Sequence, residues 1–123
     1  MSLQEVIGRI ATATPDRTAV RFAGRSLDYG ELDRLTGELA GRLAGSGVRP
    51  GDVVGVRSAA RIDYVTGMLA VWRAGGVYLP LDPSAPAERD RGILADAGAV
   101  LVLTDGELDA PGAPVAPVPA DGL

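Results

Sequence analysis

The feature that most constrains this chain is the alternation between residues 53 and 103. Three short apolar runs, Val53 to Val56, Val77-Tyr78-Leu79 and Val100 to Leu103, are separated by two segments of helical periodicity. Short apolar runs bounded by turn residues read as buried strands. Strands that alternate with helices predict an α/β layer structure with a largely parallel sheet and right-handed crossovers. The strand order stays open at this stage. The first intervening helix carries Ile62, Val65, Met68, Leu69 and Trp72 on one stripe and ends at Gly75-Gly76. The second runs from about Ala87 to Asp96, after a loop punctuated by Pro80, Pro83 and Pro86.

Upstream, Leu3, Val6, Ile7 and Ile10 recur at helical spacing, and Thr14-Pro15 marks a stop. Thr18 to Phe22 alternates as a strand does, and Gly24 supports a turn into a short Ser26-Leu27 strand. Asp28-Tyr29-Gly30-Glu31 has the spacing of a capping box. In that motif the Asp oxygen accepts an orphan N–H while the Glu side chain reaches back. Leu32, Leu35, Leu39 and Leu43 then fall on one helical face, closed by Gly45-Ser46-Gly47. From Gly106 onward, Pro111, Pro114, Pro117 and Pro119 lie among Ala and Gly. The expected division is therefore one α/β unit over residues 1–105 and a Pro/Ala/Gly-rich flexible tail over 106–123.

Composition removes whole classes of chemistry. The 123 residues include no Cys and no His, and all twelve basic residues are Arg. Thiolate nucleophiles, disulfides, a histidine base, a Walker-type phosphate loop and a Schiff-base lysine are excluded for this chain. A net charge of −4 argues against a polyanionic partner such as nucleic acid. No apolar stretch is long enough to span a bilayer. Glu5 comes early and no signal-peptide core is visible, so a cytoplasmic protein is expected.

Candidate sites are few. Gly45-Ser46-Gly47 and Gly75-Gly76 follow helices and lack the spacing of a dinucleotide fingerprint, so they read as helix stops. Asp82 and Asp105 follow apparent strands, where α/β enzymes place working groups. Without a His, Lys or Cys partner, a local capping role is the expectation for both. Tyr29 and Tyr78 are expected to pack amphipathically. Ser58 and Ser84 have neither a nucleophile-elbow context nor a base. Trp72, the single Trp, is expected in the core; a half-exposed Trp72 would instead be a binding anchor.

Two segments carry a more specific signal. Leu27-Asp28-Tyr29-Gly30-Glu31-Leu32 resembles the first core motif of adenylation domains in nonribosomal peptide synthetases, an L-T/S-Y-x-E-L pattern. Trp72-Arg73-Ala74-Gly75-Gly76-Val77-Tyr78-Leu79-Pro80-Leu81-Asp82-Pro83 closely resembles the second, L-K-A-G-x-A-Y-L-V/L-P-L/I-D. Thr14 to Val20 and Val48 to Val54 look like the same AMP-binding, adenylate-forming family, and the resemblance runs from about Leu3 to Asp105. It implies the first part of the large N-terminal subdomain of such ligase-like enzymes of secondary metabolism. Both motifs are scaffold elements in the family. The Ser/Thr/Gly-rich phosphate loop, the substrate-pocket residues, the ribose-binding Asp and the catalytic Lys come later in the family and have no counterpart here.

The resemblance thus implies no catalytic, cofactor-binding or metal residues in this chain, and ATP and Mg only for a complete adenylation domain. Departures from the pattern are Asp28 for Thr or Ser, Ala85-Pro86 for Tyr-Pro, Arg89-Asp90 for Arg-Leu, and Gly92 for an apolar residue. Gly92 is expected to weaken the last helix by about 1 kcal/mol against Ala. Three readings follow: the scaffold half of a split adenylation enzyme, a non-catalytic docking module for synthetase domains, or a decayed fragment. The expected partners are the remainder of an adenylation domain or neighbouring synthetase domains, not nucleic acid or membrane.

Overall fold

A computed structural model describes residues 3–22, 24–59, 61–104 and 115–117. In chain order the elements are α1 (Leu3–Ala13), β1 (Thr18–Phe22), β2 (Arg25–Asp28), α2 (Tyr29–Gly45), β3 (Val53–Arg57), α3 (Arg61–Arg73), β4 (Val77–Pro80), α4 (Ala87–Ala97), β5 (Leu101–Thr104) and β6 (Val115–Pro117). The alternation read from the sequence is therefore present, including α4 despite Gly92.

The capping box forms as its spacing requires. Asp28 Oδ1 accepts from the Glu31 N–H at 2.7 Å, and Glu31 Oε1 accepts from the Asp28 N–H at 3.1 Å. With two orphan donors satisfied, α2 starts at Tyr29, and Leu32, Leu35, Leu39 and Leu43 all become buried. Each fully buried Leu of this kind contributes roughly 1.5–3 kcal/mol.

β1 and β2 form an antiparallel hairpin with Val20 opposite Leu27. The other strands make one parallel sheet in the order β4-β3-β5-β6. From β3 the chain crosses through α3 to β4 on one side, then returns through α4 to β5 on the other. Crossovers of one hand that run in opposite directions place their helices on opposite faces, and the packing agrees. Val54, Val56, Leu101 and Leu103 meet Ala70 and Val71 of α3 with Leu39 and Leu43 of α2. On the opposite face Val102 and Leu81 meet Leu94 of α4.

Behind α2 and α3 lies a further cluster, in which Leu32, Leu35, Ile62 and Leu69 pack on Leu27 of the hairpin with Ala19 and Val20. The order of layers is α4, parallel sheet, α2 with α3, hairpin. Since α3 is apolar toward both the sheet and the hairpin, the sequence stripe captured only its hairpin side and missed Ala70 and Val71, both fully buried.

One expectation is corrected by the structure. Trp72 is not a core residue; it is 42% exposed, touching Tyr78 ring edge to ring face at 6.0 Å between centroids. The helix turns Val71 toward the sheet, which carries Trp72 outward. Within the segment read as a tail, Val115–Pro117 pairs with β5 in parallel, Val102 opposite Val115. A three-residue strand holding a Pro lacks the β-branched run that flags strands in sequence, and an edge position tolerates the missing donor. The rest of 106–123, with Asp105, lies outside the described residues.

Replacing Asp28 with Ala removes the α2 cap, which is expected to cost about 1 kcal/mol. For a domain of this size the thermal midpoint should fall by about 4 °C. Thermal unfolding followed by circular dichroism checks this, and an unchanged midpoint would mean that tertiary packing alone fixes the helix start.

Candidate functional site

In an open parallel sheet, ligands bind outside the carboxyl ends of the strands where adjacent strands send their helices to opposite faces. Here that point lies between β3 and β4. The segment after β3 brings Ser58 and Ala59, and the segment after β4 brings Pro83. With Tyr64 of α3 they line a cavity of about 320 Å³. None of these four residues carries a formal charge.

Arg57, the last residue of β3, points to the α4 face. Its Nε donates to Asp90 Oδ2 at 2.7 Å and its Nη2 to the Pro83 carbonyl at 3.3 Å. Asp90 is fully buried, and its Oδ1 has no hydrogen-bond partner among the described residues. The departure at Arg89-Asp90 thus has a structural account, because the acid placed where the family pattern has Leu is neutralised by the Arg at the end of β3. Sequence reasoning missed this pair. The available signal was an acid four residues before the buried Leu94, on the same helical face.

Asp82 sits at the expected strand end, but its carboxylate is engaged locally. Oδ1 accepts from the Ser84 N–H at 2.9 Å and from the Ser84 hydroxyl at 2.6 Å. These hydrogen bonds, helped by Arg89 and Arg57, hold the Asp82 carboxyl below its ordinary range. The group acts as a turn anchor. Tyr78 is half-buried, and its hydroxyl meets that of Tyr64. Burial, then the Tyr64 contact, pushes the Tyr78 phenol well above its ordinary value near 10. Tyr29 lies elsewhere, lining a cavity with Arg9 and Arg17.

The two sequence motifs serve the frame. Leu27 and Leu32 belong to the hairpin cluster, and Asp28 with Glu31 forms the cap. Arg73 reaches across to α2, donating from Nη1 to Asp33 Oδ1 at 2.7 Å, to the Asp33 carbonyl at 3.0 Å and to Thr36 Oγ1 at 3.0 Å. Ala74, Tyr78, Leu79 and Leu81 pack on the sheet, and Gly75 makes the turn with φ +83 against Pro50. Pro80 ends β4 on an exposed edge, and Pro83 is the one motif residue that reaches the cavity. Among the described residues, the Ser84 hydroxyl meets the Asp82 carboxylate only as part of their exposed turn. No three His, Cys, Asp or Glu side chains converge among the described residues as a metal site.

The AMP-binding enzyme family matches residues 8–121. The chain belongs to that family. It is 46% identical over 110 residues to a plipastatin synthase of Bacillus subtilis, an alignment covering 89% of this chain and 4% of that protein. It is 48% identical over 95 residues to the AMB antimetabolite synthetase AmbB of Pseudomonas aeruginosa, covering 77% and 8% respectively. The nonribosomal peptide synthetase FmoA3 superposes with a TM-score of 0.90 at 38% identity, over 98% of this chain and 14% of that one. The N-terminal subdomain of Klebsiella oxytoca NpsA, solved with 3-hydroxybenzoyl-AMSN, superposes with a TM-score of 0.84 at 25% identity, over 95% and 30%. The chain is thus one segment of a synthetase adenylation domain, and it spans a small part of the length of its relatives. Among the described residues no helix is long and apolar enough to cross a membrane.

Truncating Asp90 to Ala strands a largely buried guanidinium and is expected to cost about 3 kcal/mol, whereas the double change Arg57→Leu with Asp90→Leu should be near neutral. Chemical denaturation of the two variants decides this. In a spectrophotometric titration of tyrosine ionisation, one component should lag behind the ordinary range near pH 10, and Tyr78→Phe should remove it. The sign follows from the raised value: the neutral phenol is favoured in the fold, so stability from this group is present below pH 10 and is lost as pH rises beyond it.

Proposed function

We propose that this chain is the N-terminal scaffold of an amino-acid-adenylating domain, silent by itself, whose ATP and substrate groups come from further polypeptide. The observation that carries this reading is the match of nearly the whole chain, 95%, to only 30% of an adenylation subdomain. The chemistry of the cavity supports it. Its described lining residues hold no charge, and the neighbouring Arg57 faces the other side of the sheet with its guanidinium engaged by Asp90 and Pro83. Adenylate formation needs preorganised cations and donors against developing phosphate charge, each donor typically worth about 3 kcal/mol. The described residues do not fit an ATP-phosphate site, and no step of that reaction is assigned to them.

The contribution of the chain is positional. β3, β4 and β5 form a rigid parallel platform, and the ends of β3 and β4 hold the segments that open toward the cavity. In this reading the remainder of the domain docks on that platform, in a cytoplasmic synthetase, either as continuing chain or as a second polypeptide. The exposed Trp72 and Val77 favour a second reading, a docking module for synthetase domains without adenylation.

ATP–pyrophosphate exchange over a panel of amino acids separates the two. No exchange is expected from this chain alone. Exchange is expected when the remaining portion of a homologous adenylation domain is supplied as a second polypeptide. Silence of the mixture, with both pieces folded, would sink the scaffold reading and leave the docking module. A chain that fails to fold would point to a decayed fragment.

A further inference from the structure

Three elements converge on a cavity of about 650 Å³ beside α1: Arg9 of α1, Arg17 and Thr18 at the junction with β1, and Tyr29 at the start of α2, against an apolar wall of Ile10 and Ala13. Elsewhere in the molecule Arg25, Arg34, Arg57 and Arg73 each hold a carboxylate. Arg9 and Arg17 enter none of these pairs, yet they border the same cleft.

We propose that this cleft binds an extended acidic segment of a neighbouring synthetase domain, a peptide that carries carboxylates beside aliphatic side chains. The guanidinium fork matches a carboxylate with two parallel hydrogen bonds, and two forks on one cleft suit carboxylates spaced along a peptide. The Thr18 and Tyr29 hydroxyls supply further donors, and the Ile10–Ala13 wall takes the aliphatic side chains. A chain of net charge −4 repels acidic peptides in general, so two arginines outside those ion pairs make the attraction local. A second groove that shares Arg9 also holds Glu5 and the Asp33–Arg73 pair and is neutral on balance, so the Arg17 side is the more positive of the two. The choice of partner rests on the reading that the chain works inside a multidomain synthetase; adenylation itself plays no part.

The experiment titrates the whole chain into a fluorescein-labelled peptide alternating Glu with Leu and Ser, read by anisotropy at low and high salt. Saturable binding that weakens with salt is expected, with no binding of the Gln-for-Glu peptide. The variant Arg9→Ala with Arg17→Ala should lose at least about tenfold in affinity, the scale of one charge-assisted hydrogen bond. Its thermal midpoint should stay unchanged, both arginines being exposed. Arg42→Ala with Arg49→Ala removes the same charge from exposed positions elsewhere and should leave affinity unchanged. Equal weakening in that control would reduce the effect to net charge and overturn the site. Absence of binding to the unaltered chain, or inorganic phosphate binding as tightly as the peptide, would overturn it as well. Because the readout is independent of pyrophosphate exchange, its failure and that of the scaffold reading are separable.

Discussion

Strand β3 is covered on both faces, and the rest of the structure is arranged around that contact. Val54 and Val56 turn to α2 and α3, and Gly55 turns to α4. A Cβ at Gly55 would stand 2.8 Å from Leu94 Cδ2 and 3.1 Å from Leu81 Cδ1, so the Leu94 side chain of α4 rests directly on the strand backbone. A larger residue there would force the tips of the Leu94 and Leu81 side chains to shift. The close approach of α4 in turn brings Asp90 over the end of β3, where Arg57 meets it. Central packing and the placement of the site are one constraint.

Charge then joins layers that apolar packing has already brought together. Arg25 of β2 reaches Asp63 of α3 at 3.3 Å, Arg73 of α3 reaches Asp33 of α2 at 2.7 Å, and Arg57 of β3 reaches Asp90 of α4 at 2.7 Å. Each pair spans two elements. The Arg57 pair is the most buried, and its value lies in specifying where α4 sits rather than in net stability, since desolvation offsets much of the Coulombic gain. The pairs with Arg25 and Arg73 are partly solvated and individually modest. Arg suits these roles because its planar fork holds several acceptors at once, as Arg73 does with Asp33 and Thr36.

Most of the fold was legible in the sequence because its signals are local. The Asp28–Glu31 spacing, the Leu32 to Leu43 stripe and the apolar runs of β3, β4 and β5 each depend on residues within a few turns of one another. Legibility failed where a residue's fate depends on a distant partner. Trp72 and Val71 are adjacent and both apolar, and only the position of the sheet decides which is buried. Asp90 reads as a solvated helix acid until β3 supplies Arg57. Asp82, by contrast, is expected in a local role and keeps one, in a turn with Ser84 two residues on. The cavity of Ser58, Ala59, Tyr64 and Pro83 joins three segments that no sequence spacing links.

By itself the sequence determined the α/β class, the succession of elements from α1 to β5, the family motifs and the absence of Cys, His and Lys chemistry, since each is a property of composition or short-range periodicity. Only the tertiary structure decided the order β4-β3-β5-β6, the two-sided burial of α3 and the pairing of Val115–Pro117 with β5. It also decided which arginines hold a carboxylate and which border an open cleft. These depend on how layers stack, and stacking is set by long-range burial and close backbone approach, which a linear pattern does not encode.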